Sequence, residues 1–387
     1  MSKKLTWYYL LISWVVISWA GAVPARAAAP ALQAEAAILL DAKTGDILFQ
    51  KNARDRKAPA STTKIVTAII AIENGQLTDE VKVSPRAAYT PGSSMHLYAG
   101  QIITLRELIT GLMLRSGNDA AVAIAEHIAG STDNFAVLMN EKARLIGATG
   151  SHFRNPNGLS AAGHYTTATD LALITRYALA NPVFADIVGT KETSIEWQDR
   201  NGRESDRNLR NTNRLLWMLE EADGVKTGTT GEAGPCLVSS ATRGNQKLIA
   251  VVLHDHSRWY DSMKLLKYGF DNFDLFEYAN QGDVCSPLAV EGGMEAIVDA
   301  VVAEPAALSV TSSDYPSVAV EVDLPEKIIA PVYQGQKVGE IIFFTQDNPV
   351  KTVNLVAAKN IEERTVTRLF FNHLLQTFRL LSGWGML

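Results

Sequence analysis

The sequence predicts an α/β unit closed by strands from both of its ends, then a small all-β unit, then a helical C-terminus. Three patterns predict this. Hairpin-like strand runs open and close the stretch 28–278, with helical periodicity between them. From Val284 to Val356 short alternating runs rich in Val, Ile and Ala take over. From Ile361 to Leu387 apolar residues return to helical spacing.

At 387 residues, 47% hydrophobic and 20% charged, the chain has ordinary globular composition and is too long for one small domain. A net charge of -5 argues against a nucleic-acid partner. The two cysteines, Cys236 and Cys285, allow one disulfide but no cysteine scaffold; Cys236 sits in an apolar strand pattern and reads as a buried, inert thiol. Lys3 and Lys4, the apolar stretch Leu5 to Val23 and then Ala25-Arg26-Ala27 have the layout of a signal peptide cleaved after Ala27. An uncleaved membrane anchor is the competing reading, and either way the bulk of the chain is exported. The expected domains are a signal peptide over 1–27, the α/β unit over 28–278, the all-β unit over 279–360 and a terminal helix over 361–387.

In chain order, two apolar runs around Asp41-Ala42-Lys43-Thr44-Gly45-Asp46 predict a hairpin over 35–50. Pro59 stops the next polar loop, and Ile65, Ala68, Ile69 and Ile72 predict a helix from Lys64 with Ser61 in its first turn. Pro85, Pro91-Gly92 and Gly100 make 81–101 irregular. Helical spacing returns over 105–115, 120–129, 133–145 and, after a loop over 152–165, over 169–179 with Thr167 or Thr169 as cap. The polar, hydroxyl-rich stretch 194–214 includes a loop at Asn211-Thr212-Asn213. Lys226-Thr227-Gly228 precedes a strand-like run ending at Leu237-Val238, and Thr242-Arg243-Gly244-Asn245 turns it into Lys247–Leu253. A helix over 261–270 closes the unit. The last stretch, 361–387, sets Val366, Phe370, Leu374, Phe378 and Leu381 against Arg364, Arg368 and Arg379. Such an amphipathic helix lies in a membrane interface or docks on the β unit.

Ser61 and Lys64 lie one helical turn apart, so both side chains face the same side. A serine hydroxyl becomes a nucleophile when a base is within hydrogen-bond reach, and a lysine serves once burial, a helix N-terminus or a second cation lowers its pKa. Free backbone N–H groups at the same helix start can stabilise an oxyanion. Taken alone, Ser61 could be a helix cap and Lys64 a solvated residue. Likewise Ser116 could cap a helix, Lys226 could be a surface turn lysine, and Arg258 could stack on Trp259 at the surface. His254-Asp255-His256 lacks a third ligand, so no metal is expected.

Ser-x-x-Lys at Ser61, Ser-x-Asn at Ser116 and Lys-Thr-Gly at Lys226 occur in the order found in penicillin-binding proteins and serine β-lactamases. The chain resembles the low-molecular-mass penicillin-binding proteins that are serine-type D-alanyl-D-alanine carboxypeptidases (peptidase family S11). The likeness runs through residues 36–45 (AAILLDAKTG), 59–64 (PASTTK), 92–97 (GSSMHL), 114–120 (LRSGNDA), 155–159 (NPNGL), 164–168 (HYTTA) and 223–228 (DGVKTG). It implies an α/β (α+β) serine β-lactamase/transpeptidase-like catalytic domain, a small all-β domain and a C-terminal amphipathic helix at the membrane. It implies the peptidoglycan stem peptide as substrate, β-lactams as covalent inhibitors, no cofactor, and a place on the extracytoplasmic face of the bacterial membrane. Position by position, Ser61 resembles the acylated nucleophile, Lys64 its base and Ser116 a proton relay. Asn118 would hold the substrate amide and orient Lys64. Lys226, Thr227 and Gly228 form the motif that meets the substrate carboxylate, with Arg258 beside it. The N–H groups of Ser61 and Thr229 would form the oxyanion hole. Some members carry histidine where this chain has Thr229.

A serine β-lactamase shares the three motifs. Class A enzymes add a glutamate-positioned water, and no Glu-x-x-Leu-Asn stretch lies between Asn118 and Lys226. The motifs leave a D,D-endopeptidase open, and a non-catalytic wall-binding protein is the reading from another class.

Overall fold

The computed structural model describes residues 29–199, 201–368 and 370. The expected signal peptide lies outside them, as does most of the expected terminal helix.

Five antiparallel strands form the first sheet, in the order Ile47–Lys51, Ala36–Asp41, Gln246–Leu253, Gly234–Arg243, Ala222–Thr230. N- and C-terminal strands share one sheet, as the sequence predicted. Strand alternation sends Ile38, Leu40, Val238, Ile249 and Val251 into one core and Leu39, Leu237, Leu248, Ala250 and Val252 into another. The helix Arg258–Asn272 covers the second face with Leu265 and Leu266. The other face carries Lys64–Asn74, Leu105–Leu114, Asn118–Ala129, Thr132–Ile146 and Ala168–Leu179.

A capping box at Thr104 and Glu107 starts the helix Leu105–Leu114, and left-handed Gly130 and Gly147 end the next two helices. Three elements differ from expectation. Asn181 caps a short helix Pro182–Gly189 that apolar spacing did not reveal. The polar stretch after it is a β-hairpin, Glu192–Gln198 with Glu204–Arg210, whose few inward apolar residues include Ile195 and Leu209. The lysine motif lies inside the strand Ala222–Thr230 instead of before one.

The all-β unit is a six-stranded sheet in the order Val318–Asp323, Lys337–Thr345, Asn348–Ala357, Ile297–Val302, Val284–Glu291, Lys327–Ile329. Phe273–Ala279 pairs with Ala306–Thr311, so the chain joins this unit at Phe273, before the change of character read after Tyr278. At the other end Ile361 is buried and bridges Val332, and Glu363 bridges Gly293. Residues 361–363 therefore complete the β unit, and the helix does not start at Ile361. Val366–Arg368 and Phe370 are helical. Among the described residues no single helix is long and apolar enough to cross a membrane. Asp46 ties the two units together: it accepts from Ser309 N (3.0 Å) and from Lys351 Nζ (3.1 Å).

Candidate active site

Pro59 and Ala60 lead into a 3₁₀ turn, Ala60–Thr63, that runs straight into the helix Lys64–Asn74. Thr62 Oγ1 donates to Pro59 O (2.6 Å) and pins the turn. Ala60 has φ +48°, a left-handed conformation that costs a non-glycine residue energy. Gly158, at φ +84°, packs against it from the loop 155–159; a Cβ there would overlap the Ala60 carbonyl. Buried His164 supports the same turn. Its Nδ1 accepts from Arg154 N (2.9 Å), so Nε2–H donates to Thr63 Oγ1 (3.0 Å). Burial lowers its pKa to about 4, keeping the ring neutral.

Lys64 is fully buried, and its Nζ has three neighbours: Asn118 Oδ1 at 2.7 Å, Asn157 O at 2.6 Å and Ser61 Oγ at 2.9 Å. Burial, reinforced by the charge of Lys226, holds its pKa well below the usual lysine range, against the opposing pull of Asp119. Asn118 Nδ2 donates to Pro91 O (2.7 Å), which turns the amide so that Oδ1 faces Lys64. A neutral amine has two N–H groups and one lone pair. Asn118 Oδ1 and Asn157 O can only accept, so they take both N–H groups. The lone pair is left for the Ser61 hydroxyl, which is the geometry of a general base.

Ser116 and Gly117 break the chain between the helices Leu105–Leu114 and Asn118–Ala129, with Ser116 at φ +62°. The Ser116 side chain is buried, and its hydroxyl makes no hydrogen bond among the described residues. Next to it, Asp119 is fully buried and accepts from Met95 N (2.9 Å), Leu97 N (3.1 Å) and Ser94 Oγ (2.6 Å). It thereby anchors the loop 91–97 beside Asn118.

Lys226 is buried in its strand, its Nζ 3.3 Å from Thr227 O. Burial first, then the charge of Arg258, lowers its pKa to about 7. A Cβ on Gly228 would stand about 3.0 Å from Ser61 N and 3.1 Å from Thr62 N. Glycine here lets the motif strand close onto the nucleophile's turn. Arg258 Nη1 donates to Gly228 O (2.8 Å) and Thr229 Oγ1 (2.9 Å), while its guanidinium lies over the Trp259 ring at 4.8 Å. It is both a stacked residue and a brace of the motif strand.

The fold thus gathers Ser61, Lys64, Asn118 and the Asn157 carbonyl on one wall, and Lys226, Thr227, Gly228, Thr229 and Arg258 on the other. The residues missed from sequence are Asn157, which acts through a backbone carbonyl with no side-chain signature, and Asp119. The capped, buried turn around Gly158 was legible as a loop but not as a support. Cys236 is buried with its thiol pushed up to about 11 by burial, and both cysteines are free.

Residues 23–257 match the model of the D-alanyl-D-alanine carboxypeptidase family, and residues 273–363 match the C-terminal domain of penicillin-binding protein 5. The chain belongs to the D-alanyl-D-alanine carboxypeptidase family. It is a peptidase of the penicillin-binding type, and the family implies a serine mechanism. It is similar to the D-alanyl-D-alanine carboxypeptidase DacF of Bacillus subtilis, at 34% identity over 84% of this chain and 85% of that one. Against DacC of Escherichia coli the identity is 33%, over 87% of this chain and 86% of that one. Among solved structures, penicillin binding protein 5 of Haemophilus influenzae superposes with a TM-score of 0.74 at 29% identity, over 87% of this chain and 99% of that one.

Proposed function

We propose that Ser61 is the acylated nucleophile of a serine-type carboxypeptidase that removes the terminal D-alanine from peptidoglycan stem pentapeptides. The observation that carries this is the Lys64 amine, buried, with both N–H groups taken and its lone pair toward Ser61 Oγ at 2.9 Å. Lys64 takes the hydroxyl proton as Oγ attacks the penultimate D-alanyl carbonyl. The N–H groups of Ser61 and Thr229 receive the oxyanion, where losing one donor costs about 3–4 kcal/mol. Lys226, Thr227 and Arg258 meet the terminal carboxylate. Asn118 holds the substrate amide as well as Lys64. Ser116, with an uncommitted hydroxyl, passes the proton to the departing D-alanine amine. Water activated by Lys64 and Ser116 then hydrolyses the ester. A β-lactam ring enters the same site and acylates Ser61.

The same reading places the protein outside the cytoplasmic membrane of a bacterium, exported by its N-terminal segment and held to the lipid surface by its terminal helix. Lys3, Lys4 and the apolar run after them support export. The arginines interleaved with Phe370, Phe378 and Leu381 support the surface anchor.

The test is D-alanine release from diacetyl-Lys-D-Ala-D-Ala, with fluorescent penicillin labelling in parallel. Release that penicillin blocks is expected. Rapid turnover of penicillin without peptide cleavage would make the protein a β-lactamase instead.

A further inference from the structure

A cavity of about 440 Å³ opens beside the turn that carries Ser61. Arg56, Lys57 and Ala58 form one wall, the loop from Ser160 to Tyr165 a second, and Glu232 a third. Two backbone hydrogen bonds clamp the first wall to the end of that loop: Lys57 N donates to Thr166 O (2.8 Å) and Thr166 N to Lys57 O (2.9 Å). Glu232 comes from the turn that ends the motif strand. Thr230 pairs with Gly234, which leaves Gly231, Glu232 and Ala233 as that turn, and Ala233 N donates to Thr230 Oγ1 (3.0 Å). The volume is enough for a small ligand or for one side chain of a larger one.

The charged groups around it differ in what they already hold. Lys57 Nζ is committed to Glu35 Oε2 (2.6 Å), and both ring nitrogens of His164 are taken by Arg154 N and Thr63 Oγ1. Arg56 lies over the Tyr165 ring, 4.4 Å from its centre. Tyr165 is itself fixed to His152 by two backbone hydrogen bonds (2.8 and 3.0 Å). The guanidinium is therefore positioned by stacking, yet it meets no carboxylate among the described residues. Glu232 is exposed and meets no cation among them. One guanidinium and one carboxylate thus share a cavity without pairing with each other. Together they are complementary to a group that carries both charges. The carboxylate of a free α-amino acid end takes the guanidinium fork, and its ammonium takes the glutamate.

The motif strand gives the direction along the substrate. In the reaction proposed above, Lys226 and Thr227 meet the terminal carboxylate and Thr229 N–H meets the oxyanion. Past Thr229 the strand runs on to Thr230, Gly231 and Glu232, away from the carboxylate and alongside the half of the substrate that stays on Ser61. The opposite wall agrees, because Ala58 stands three residues before Ser61 and Glu232 three residues after Thr229. Three residues span at most about 10 Å. The residue next to the attacked D-alanine, the third of the stem peptide, covers that distance with a long unbranched side chain. We propose that Arg56 and Glu232 form a subsite for the free end of that side chain, and that they select a third residue ending in both an ammonium and a carboxylate. This rests on the roles given to Ser61, Lys226 and Thr229 above.

The experiment measures D-alanine release from three peptides that differ only in the end of the third side chain. N-acetyl-meso-diaminopimelyl-D-Ala-D-Ala carries both charges there, α-acetyl-Lys-D-Ala-D-Ala only the ammonium, and diacetyl-Lys-D-Ala-D-Ala neither. The full chain is compared with Arg56→Gln and with Glu232→Gln, each shown to be folded by retained fluorescent-penicillin labelling. The wild type should prefer the doubly charged peptide to the uncharged one by about tenfold in kcat/KM. Arg56→Gln should lose about tenfold on the doubly charged peptide and stay within about twofold on both lysine peptides. Glu232→Gln should lose on both peptides that carry the ammonium and not on the diacetyl peptide. No preference in the wild type, an equal loss on all three peptides, or no loss in either variant would each overturn the subsite. If no peptide releases D-alanine, the carboxypeptidase reading fails, and competition with fluorescent penicillin decides the subsite. The doubly charged peptide should then slow labelling of the wild type more than labelling of Arg56→Gln, and equal competition would overturn it.

Discussion

Between Asp41 and Ser262 the interior holds Lys64, Lys226, Asp41, Asp119 and Asp255, whereas the sheet from Val284 to Ala357 buries no polar side chain among the described residues. The second unit closes over Val298, Leu308, Ile341, Phe343, Val353 and Leu355. Both units meet the same solvent, yet only the first carries ionisable groups into its core. Burying a charge is costly unless it is paired, and Lys64 and Lys226 are not paired: burial lowers the proton affinity of both, the charge of Lys226 lowers that of Lys64 further, and the charge of Arg258 lowers that of Lys226. The contrast separates groups placed for chemistry from groups placed for cohesion.

The largest effect should come from removing a buried cation. Lys226→Met is expected to lower kcat/KM for D-alanine release about 10³-fold, because a desolvated partner of the substrate carboxylate is lost. The same change should stabilise the fold. Lys226 keeps its proton up to its ordinary 10.5 when unfolded, but only to about 7 when folded. The unfolded chain thus binds more protons between those values, and stability falls as pH drops through that window. Methionine removes this cost, on the order of a few kcal/mol, and thermal unfolding at pH 7 should occur at higher temperature. A variant that loses both activity and stability would break the comparison.

The apolar unit should behave in the opposite way. Phe343 is fully buried beside the rings of Phe276 and Tyr278. Phe343→Ala is expected to cost about 3–5 kcal/mol of stability, read by denaturant unfolding, with D-alanine release unchanged at 25 °C.

The smallest effect sharpens the electrostatic half. The charge of Lys226 helps depress Lys64. In Lys226→Met the Lys64 pKa should rise, so the base becomes available only at higher pH. The acid limb of the residual kcat/KM profile should move to higher pH; an unmoved limb would mean that the two amines do not sense each other.

Much of this was legible in the sequence. The apolar runs of 36–41 and 246–253, the helical stripe after Lys64 and the three short motifs are local patterns, and local patterns survive without the fold. The parts that were not legible depend on distant partners. The hairpin 192–210 shows too few apolar residues for its alternation to stand out, because its strands pair with each other and with no larger sheet. Pro182 after Asn181 was a readable helix start, hidden by the shortness of the helix it opens. The Asn157 carbonyl could not be found by side-chain reasoning at all. Ser116 and Lys64 were expected to work together, and the fold places Ser116 at the helix break with its hydroxyl uncommitted.

The central claim is that Ser61, activated by a neutral Lys64, forms the covalent intermediate. The most direct measurement is peptide mapping by mass spectrometry after brief exposure to penicillin. The adduct is expected on Ser61 alone, and in Ser61→Ala both the adduct and D-alanine release should disappear. An adduct on another residue, or D-alanine release surviving in Ser61→Ala, would contradict it.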